Sequence, residues 1–382
     1  MSFSVTFASF SPNNFLMASR AATLHQSPWQ GVFVITGGGS GLLSELLGQP
    51  GASATVLEAR VPYANVALAQ LLGARPDQAC SAATARAMAM VAFQRALELT
   101  SLDDNAAEEE QLLFGLGCTA SLATNREKRG AHRAHVAIQT ASATFTIELA
   151  LSGDRDSEEQ TLVDTLWQAL DKTLELDLPV LEQQGKTTLV TGLPGWQALI
   201  LGDSSAHLHG EHDGKLLLPG AFNPLHDGHR QMLTIASRLT GLPGGYEMSV
   251  ANVDKPFLDY QEIDRRLAQF EDPVWLTHLP TFIEKARHFP GARFVVGIDT
   301  LLRIADDAYY ASESAMLQVF AEFAQLGTGF VVFGRDLQPD TFKVLDDVLH
   351  QLPTSLTDLC TGVDAATFRE SISSTQLRQL NR

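Results

Sequence analysis

Residues 219–230, PGAFNPLHDGHR, decide how the C-terminal half of this chain is read. The apolar run 216–218 before them has the character of a buried strand. A Gly/Asn/Pro loop follows, and a helical pattern begins at or near the second histidine and continues through Leu233. At such a turn, free backbone N–H groups and the helix dipole favour an anion such as phosphate. His226 and His229 are three apart, so they share one face if the helix has begun there. Their N–H donors suit charge growing on a transferring phosphoryl group. The pattern His-x-Gly-His alone arises by chance on the order of a few per cent of the time, so its setting gives it weight. No third ligand and no i,i+4 pair accompanies the histidines, which argues against zinc.

Working outward, a second strand–helix pattern occupies 294–296 and 300–304, and a third strand, 329–333, runs into Gly334-Arg335. Strands alternating with helices predict an α/β domain with a parallel sheet. Near the end stands Ile372-Ser373-Ser374-Thr375-Gln376-Leu377-Arg378. A Ser/Thr cluster before a short helix offers capping hydroxyls and exposed N–H groups, and Arg378 one turn later can reach phosphate oxygens. By itself that run reads equally as an N-cap.

Composition bounds the rest. The 382 residues suit two domains, and 45% hydrophobic against 19% charged residues predicts packed cores rather than disorder. With 27 Lys+Arg against 44 Asp+Glu the net charge is −17, which argues against general binding of nucleic acid or an anionic membrane. Three scattered cysteines give no disulfide framework. With no signal-like start and no long apolar run, the expected location is the cytoplasm.

Four segments are predicted: an N-terminal extension (1–27), a first α/β domain (28–176), a connection rich in Pro, Gly, Gln and Asp (177–214), and a second α/β domain (215–382). In the first domain, 31–36 reads as a buried strand running into Gly37-Gly38-Gly39-Ser40-Gly41, where N–H groups can cradle phosphate. Helices are expected at 42–47, 65–72, 83–97 and 156–176, and strands at 111–115, 135–140 and 144–152. The basic loop 125–133 either closes over a phosphate or balances the acidic run 108–110.

The pair GxFxPxHxGH (220–229) and ISSTxxR (372–378) resembles the nicotinamide/nicotinate mononucleotide adenylyltransferases of the HxGH nucleotidyltransferase superfamily, over about residues 215–382. The resemblance implies a Rossmann-like domain that transfers AMP from ATP to NMN or NaMN with release of pyrophosphate, a step of NAD biosynthesis. Mg²⁺ would ride mainly on the triphosphate and water. His226 and His229 are assigned to the triphosphate and transition state, and Arg378 with Ser374 and Thr375 to the β/γ-phosphates. Asp299, in Gly297-Ile298-Asp299-Thr300, goes to the nucleoside, and Lys255 to the acceptor phosphate. Gly220, Phe222, Asn223, Gly228 and Ser373 complete the nucleotide-binding set. The plainer readings are a helix-capping Asp299 and a surface Lys255.

Asn223 stands where many relatives have Asp, and Ala221 where many have Ser or Thr. Residues 369–373, RESIS, echo a run typical of cytidylyltransferases, so the choice between ATP and CTP stays open. The alternatives are a cytidylyl- or other nucleotidyltransferase with a different phosphate substrate, and a non-catalytic nucleotide sensor. The expected partners are ATP and a mononucleotide or other small phosphate acceptor, with room for a homo-oligomer.

In the first domain, 36–53 (TGGGSGLLSELLGQPGAS), 61–65 (VPYAN) and 85–90 (ARAMAM) resemble the C-terminal domain of CinA proteins, the nicotinamide-nucleotide amidases, over about 28–176. Aligned on these runs, the family's nucleophilic serine falls on Gly37 and its lysine on Leu68, and the segment Gly115 to Ser121 is altered too. Glycine cannot attack and leucine cannot act as a base, so amidase activity is expected to be absent. Ser40 is a substitute nucleophile only if the register slips, and Cys118 reads as a small buried residue.

Overall fold

The structure is a computed structural model and describes residues 19–102, 112–125, 130–179, 185–251, 256–338 and 341–370. The first domain runs α1 (Arg20–His25), β1 (Trp29–Thr36), α2 (Ser40–Gly48), β2 (Val56–Arg60), α3 (Asn65–Leu71), α4 (Ala82–Ser101), β3 (Leu112–Ser121), β4 (Arg133–Thr140), β5 (Ala143–Ala150), α5 (Arg155–Leu174) and β6 (Lys186–Thr191). Its strands are ordered β2-β1-β3-β4-β5-β6 among the described residues. β1 pairs in parallel with β2 and β3, and the later pairs are antiparallel. β1 is apolar throughout because both its faces are covered: Val32 and Val34 face one core, Phe33 and Ile35 the other.

The alanine and glycine content here has a packing cause. A Cβ on Gly115 would stand 2.2 Å from Ala89 O and Phe93 N, and one on Gly117 2.2 Å from Ala85 O. The backbone of α4 therefore lies directly on β3, where only glycine on the strand and alanine on the helix leave room.

The second domain runs α6 (Pro194–Leu201), β7 (Ala206–His209), β8 (Leu216–Pro219), α7 (Asp227–Thr240), β9 (Gly245–Ser249), α8 (Tyr260–Leu267), β10 (Val274–Thr277), α9 (Phe282–His288), β11 (Arg293–Gly297), α10 (Ile298–Ile304), α11 (Glu313–Gln325), β12 (Gly329–Phe333), β13 (Arg335–Gln338), β14 (Thr341–Lys343) and β15 (Cys360–Gly362). The main sheet is ordered β15-β12-β11-β8-β9-β10-β7. Every pair in it is parallel except β7 with β10. Taken from β10 to β15, the parallel strands follow the doubly wound 3-2-1-4-5-6 order. The chain is thus a two-domain α/β protein, as its alternating pattern predicts.

Two predicted boundaries change. The stretch 177–214 is no linker: β6 completes the first sheet, and β7 edges the second. Between them α6 packs Trp196, Leu199 and Ile200 into a core shared with Val34, Met88 and Phe93 of the first domain. The extension 1–27 is integrated where it is described. Leu24 is fully buried in the first core, and Arg20 Nη1 donates to Asp164 Oδ1 at 2.6 Å. Short edge elements and single-turn helices carry too little periodicity to be read without the sheet they join.

Candidate functional site

β8 ends where its sheet divides. The chain leaves β8 for β9 on one side, and β11 returns on the other, which makes the carboxyl ends of these strands a topological switch point, the place where such sheets take ligands. Residues 220–229 leave β8 at this point and enter α7. A Cβ on Gly220 would meet the Phe222 ring at 2.7 Å. Phe222 has φ +45°, a strained conformation for an aromatic residue, and its fully buried ring anchors it. That ring meets His229, Tyr246 and Phe270 edge-to-face, with centroids 5.2, 5.3 and 5.2 Å away.

The helix starts near the second histidine, as the sequence predicts. Asp227 is its first residue, and His226 precedes it as N-cap with φ −143°. The two histidines do not simply share a helical face: their rings stack, with centroids 3.7 Å apart. A Cβ on Gly228 would stand 3.1 Å from the His226 ring, which explains the glycine between them. The His226 backbone N–H donates to His229 Nδ1 at 3.3 Å. In the neutral state His229 therefore carries its proton on Nε2, which is left as a donor.

Both histidines are held below the ordinary imidazole range. For His226 burial acts first and the charge of Arg335 second, opposed by Asp227 and Glu370. For His229 burial, His226 and Arg335 together push the value down to about 3. At neutral pH the pair is uncharged. His226 is 9% exposed, and its Nδ1 is buried with no hydrogen-bond partner. A buried polar atom without a partner is costly unless something else is to meet it.

Arg335 belongs to this site although the sequence reading did not select it. It follows β12, and its Nε lies 4.0 Å from Asp299 Oδ1. Asp299 itself sits in the first turn of α10 with its side chain largely exposed. The available signal was Gly334-Arg335 directly after an apolar strand, because the carboxyl end of a parallel strand is where functional groups collect. Asn223 Oδ1 accepts a 2.7 Å hydrogen bond from Arg265 Nη2. The structure thus brings His226, His229, Gly220, Phe222, Gly228 and Asp299 to the carboxyl ends of the adjacent strands β8 and β11. Lys255, Ser373, Ser374, Thr375 and Arg378 lie outside the described residues; the last described residue before that motif, Glu370, lies against Gly228.

The first domain repeats the local arrangement with another outcome. Gly37 and Gly39 have φ +82° and +86°, and α2 begins at Ser40. Two of the N–H groups predicted to cradle phosphate are already engaged. Gly39 N–H donates to Glu159 Oε2 at 2.8 Å, Gly41 N–H to Glu159 Oε1 at 3.1 Å, and Ser40 Oγ to Oε1 at 3.3 Å. A Cβ on Gly37 would stand 2.0 Å from Ala120 O. Leu68 is buried at 3% exposure, on the wall of a cavity of about 210 Å³ that Thr36, Tyr63, Asn65 and Arg155 also line. Cys118 is fully buried, and burial pushes its thiol far up. His132 of the basic loop binds Glu158 at 2.6 Å; residues 126–129 lie outside the described residues.

Among the described residues no group of three His, Cys, Asp or Glu side chains could hold a metal ion. No described helix is long and apolar enough to cross a membrane.

No protein-family model and no curated relative matches the chain. Solved structures of CinA-superfamily proteins are similar to it over its N-terminal part. One from Klebsiella pneumoniae 700603 is 18% identical, covering 41% of this chain and 95% of its own, with a TM-score of 0.33. One from Enterobacter cloacae is 15% identical, covering 45% and 99%, with a TM-score of 0.33. One from Escherichia coli is 16% identical, covering 42% and 87%, with a TM-score of 0.30.

Proposed function

We propose that the second domain is a nucleotidyltransferase that moves AMP from ATP to the phosphate of a pyridine mononucleotide. The observation that carries this reading is the buried, unpartnered Nδ1 of His226, stacked on a neutral His229 beside Arg335 at the carboxyl end of β8. Imidazole and guanidinium donors suit the oxygens of a polyphosphate. An incoming anion would raise both imidazole pKa values and strengthen those bonds. In the reaction an oxygen of the acceptor phosphate forms a bond to the α-phosphorus, the bond from that phosphorus to the bridging oxygen breaks, and pyrophosphate leaves. The residues hold the reacting groups in line and stabilise the charge that develops.

This donor set fits phosphate oxygens rather than a hard divalent cation, which takes carboxylates and carbonyls. Mg²⁺ would therefore arrive with the nucleotide substrate. The first domain, with Gly37 and Leu68 at the positions of an amidase serine and lysine, is proposed to have no amidase activity.

The test is pyrophosphate release with Mg²⁺, crossing ATP and CTP with the amide and acid pyridine mononucleotides and identifying products by mass. Dinucleotide formed with ATP supports the proposal and names the acceptor. Product only with CTP moves the reading to a cytidylyltransferase. Tight ATP binding with no release from any pair moves the reading to another acceptor or to a sensor. Ammonia released from the amide mononucleotide would contradict the reading of the first domain.

A further inference from the structure

The helix α8 touches both domains, and its two ends do different things. Tyr260, at its start, is fully buried against the first domain. Its N–H donates to Thr144 Oγ1 at 3.0 Å and its hydroxyl to Ala141 O at 2.5 Å. Gln261 donates to Thr146 Oγ1 and to Thr188 O, at 3.1 and 3.3 Å. Arg86, from α4, binds the helix cap Asp259 at 3.0 Å and approaches Glu262 at 3.8 Å. The other end of the helix grips the loop after β8. Arg265 binds Asn223 Oδ1 at 2.7 Å, and Arg266 donates to Ala221 O at 2.8 Å. Gln269, just beyond, donates to Phe222 O at 3.1 Å and accepts from Leu225 N–H at 2.9 Å.

Glu262 joins the two ends. Its carboxylate binds Arg265 at 2.6 Å and Arg266 at 2.8 Å while facing Arg86. The side chains of Arg86, Asp259, Glu262 and Arg266 are only 10–15% exposed, so solvent and salt screen this cluster weakly. The loop it holds contains the strained Phe222, and such a conformation persists only where its surroundings over-determine it. Loosening α8 would let the loop relax and the histidine pair move with it.

We propose that the first domain is a working part of the nucleotide site, with Arg86 a positioning residue that acts on residues 221–225 through α8. This rests on the reading of that loop as the nucleotide loop. The test uses the full chain and two readouts. Hydrogen exchange followed by mass spectrometry reports the amides of 220–226 without any substrate. Steady-state kinetics report kcat and KM separately.

For Arg86→Ala the loop amides should exchange about tenfold faster, and kcat should fall about tenfold or more with a smaller change in KM. Arg86→Lys should recover much of both. Glu262→Gln, which keeps the shape of the cluster, should move both in the same direction, so the proposal stays testable if Arg86→Ala folds poorly. Arg20→Ala removes an ion pair of the first domain remote from α8 and should leave loop exchange as in the wild type. Unchanged loop exchange in both Arg86→Ala and Glu262→Gln would overturn the coupling. A wild-type chain inactive with every substrate pair would overturn the reading of the site instead, and the exchange data would still decide the coupling.

Discussion

Two turns of this chain share one local design: an apolar strand, a glycine-containing loop and a helix N-terminus, after β1 and again after β8. At the first, the amides meet Glu159, a carboxylate supplied by α5 of the same domain. At the second, stacked neutral imidazoles and Arg335 gather with a buried ring nitrogen unpartnered. The backbone physics that attracts an anion is thus met by a carboxylate of the same domain at the first turn, while at the second a buried ring nitrogen has no partner. A strand–turn–helix motif predicts where an anion can go, but not whether the protein provides one itself.

The largest effect that could break this comparison is at the second turn. His229→Ala should lower pyrophosphate release by about 100-fold or more with the fold retained, judged by circular dichroism. Turnover close to the wild type would remove the histidines from the reaction.

Next comes Gly37→Ser, which tests the proposed loss of amidase chemistry at the first turn. With φ +82° and a clash at Ala120 O, it should cost about 2–4 kcal/mol of stability and yield no amide hydrolysis. A folded variant of unchanged Tm would show that the first turn is not closed by its backbone.

Glu159→Ala sharpens the comparison directly. It should cost about 1 kcal/mol, since the carboxylate is only partly buried, and it should free the amides of Gly39 and Gly41. Inorganic phosphate should then raise its Tm more than it raises the wild type's. Equal shifts in the two chains would mean that the first turn takes no anion even when emptied.

A further effect concerns pH. His229 sits at about 3 when folded and near 6.5 when unfolded, so between those values the unfolded chain binds a proton that the folded chain refuses. Stability present above pH 6.5 is therefore lost as pH falls through that window. Glu262 acts in the same direction only at lower pH, below the ordinary glutamate range: burial raises its carboxyl, but Arg265 and Arg266 outweigh that and hold it low. Tm should fall between pH 7 and 5, and less steeply in His229→Gln. A matching slope in that variant would deny the desolvated, neutral pair.

Much of this was legible in residues close together in sequence. The β8 loop, the helix after it and the strands at 294–296 and 329–333 follow from local periodicity and turn residues. Gly220 and Gly228 stood in the motif, and the structure adds the ring contacts that require them. Arg335 was visible only as a residue after a strand, since nothing local says that β12 lies beside β11. Glu159 looked like any acidic residue early in a helix. The roles of 177–214 were hidden because β6 and β7 belong to different sheets.

Residues near one another in sequence set the alternation of strands and helices, the acidic charge and the anion-favouring turns. These are local properties, set by side-chain chemistry, backbone freedom and spacing along the chain. The tertiary structure alone decided that Glu159 fills one cradle, that Arg335 faces the histidines, and that α8 ties Arg86 to the loop at Ala221 and Asn223. Each of these joins residues dozens of positions apart, and only the packing of sheets and helices brings such groups within reach of a hydrogen bond or a charge.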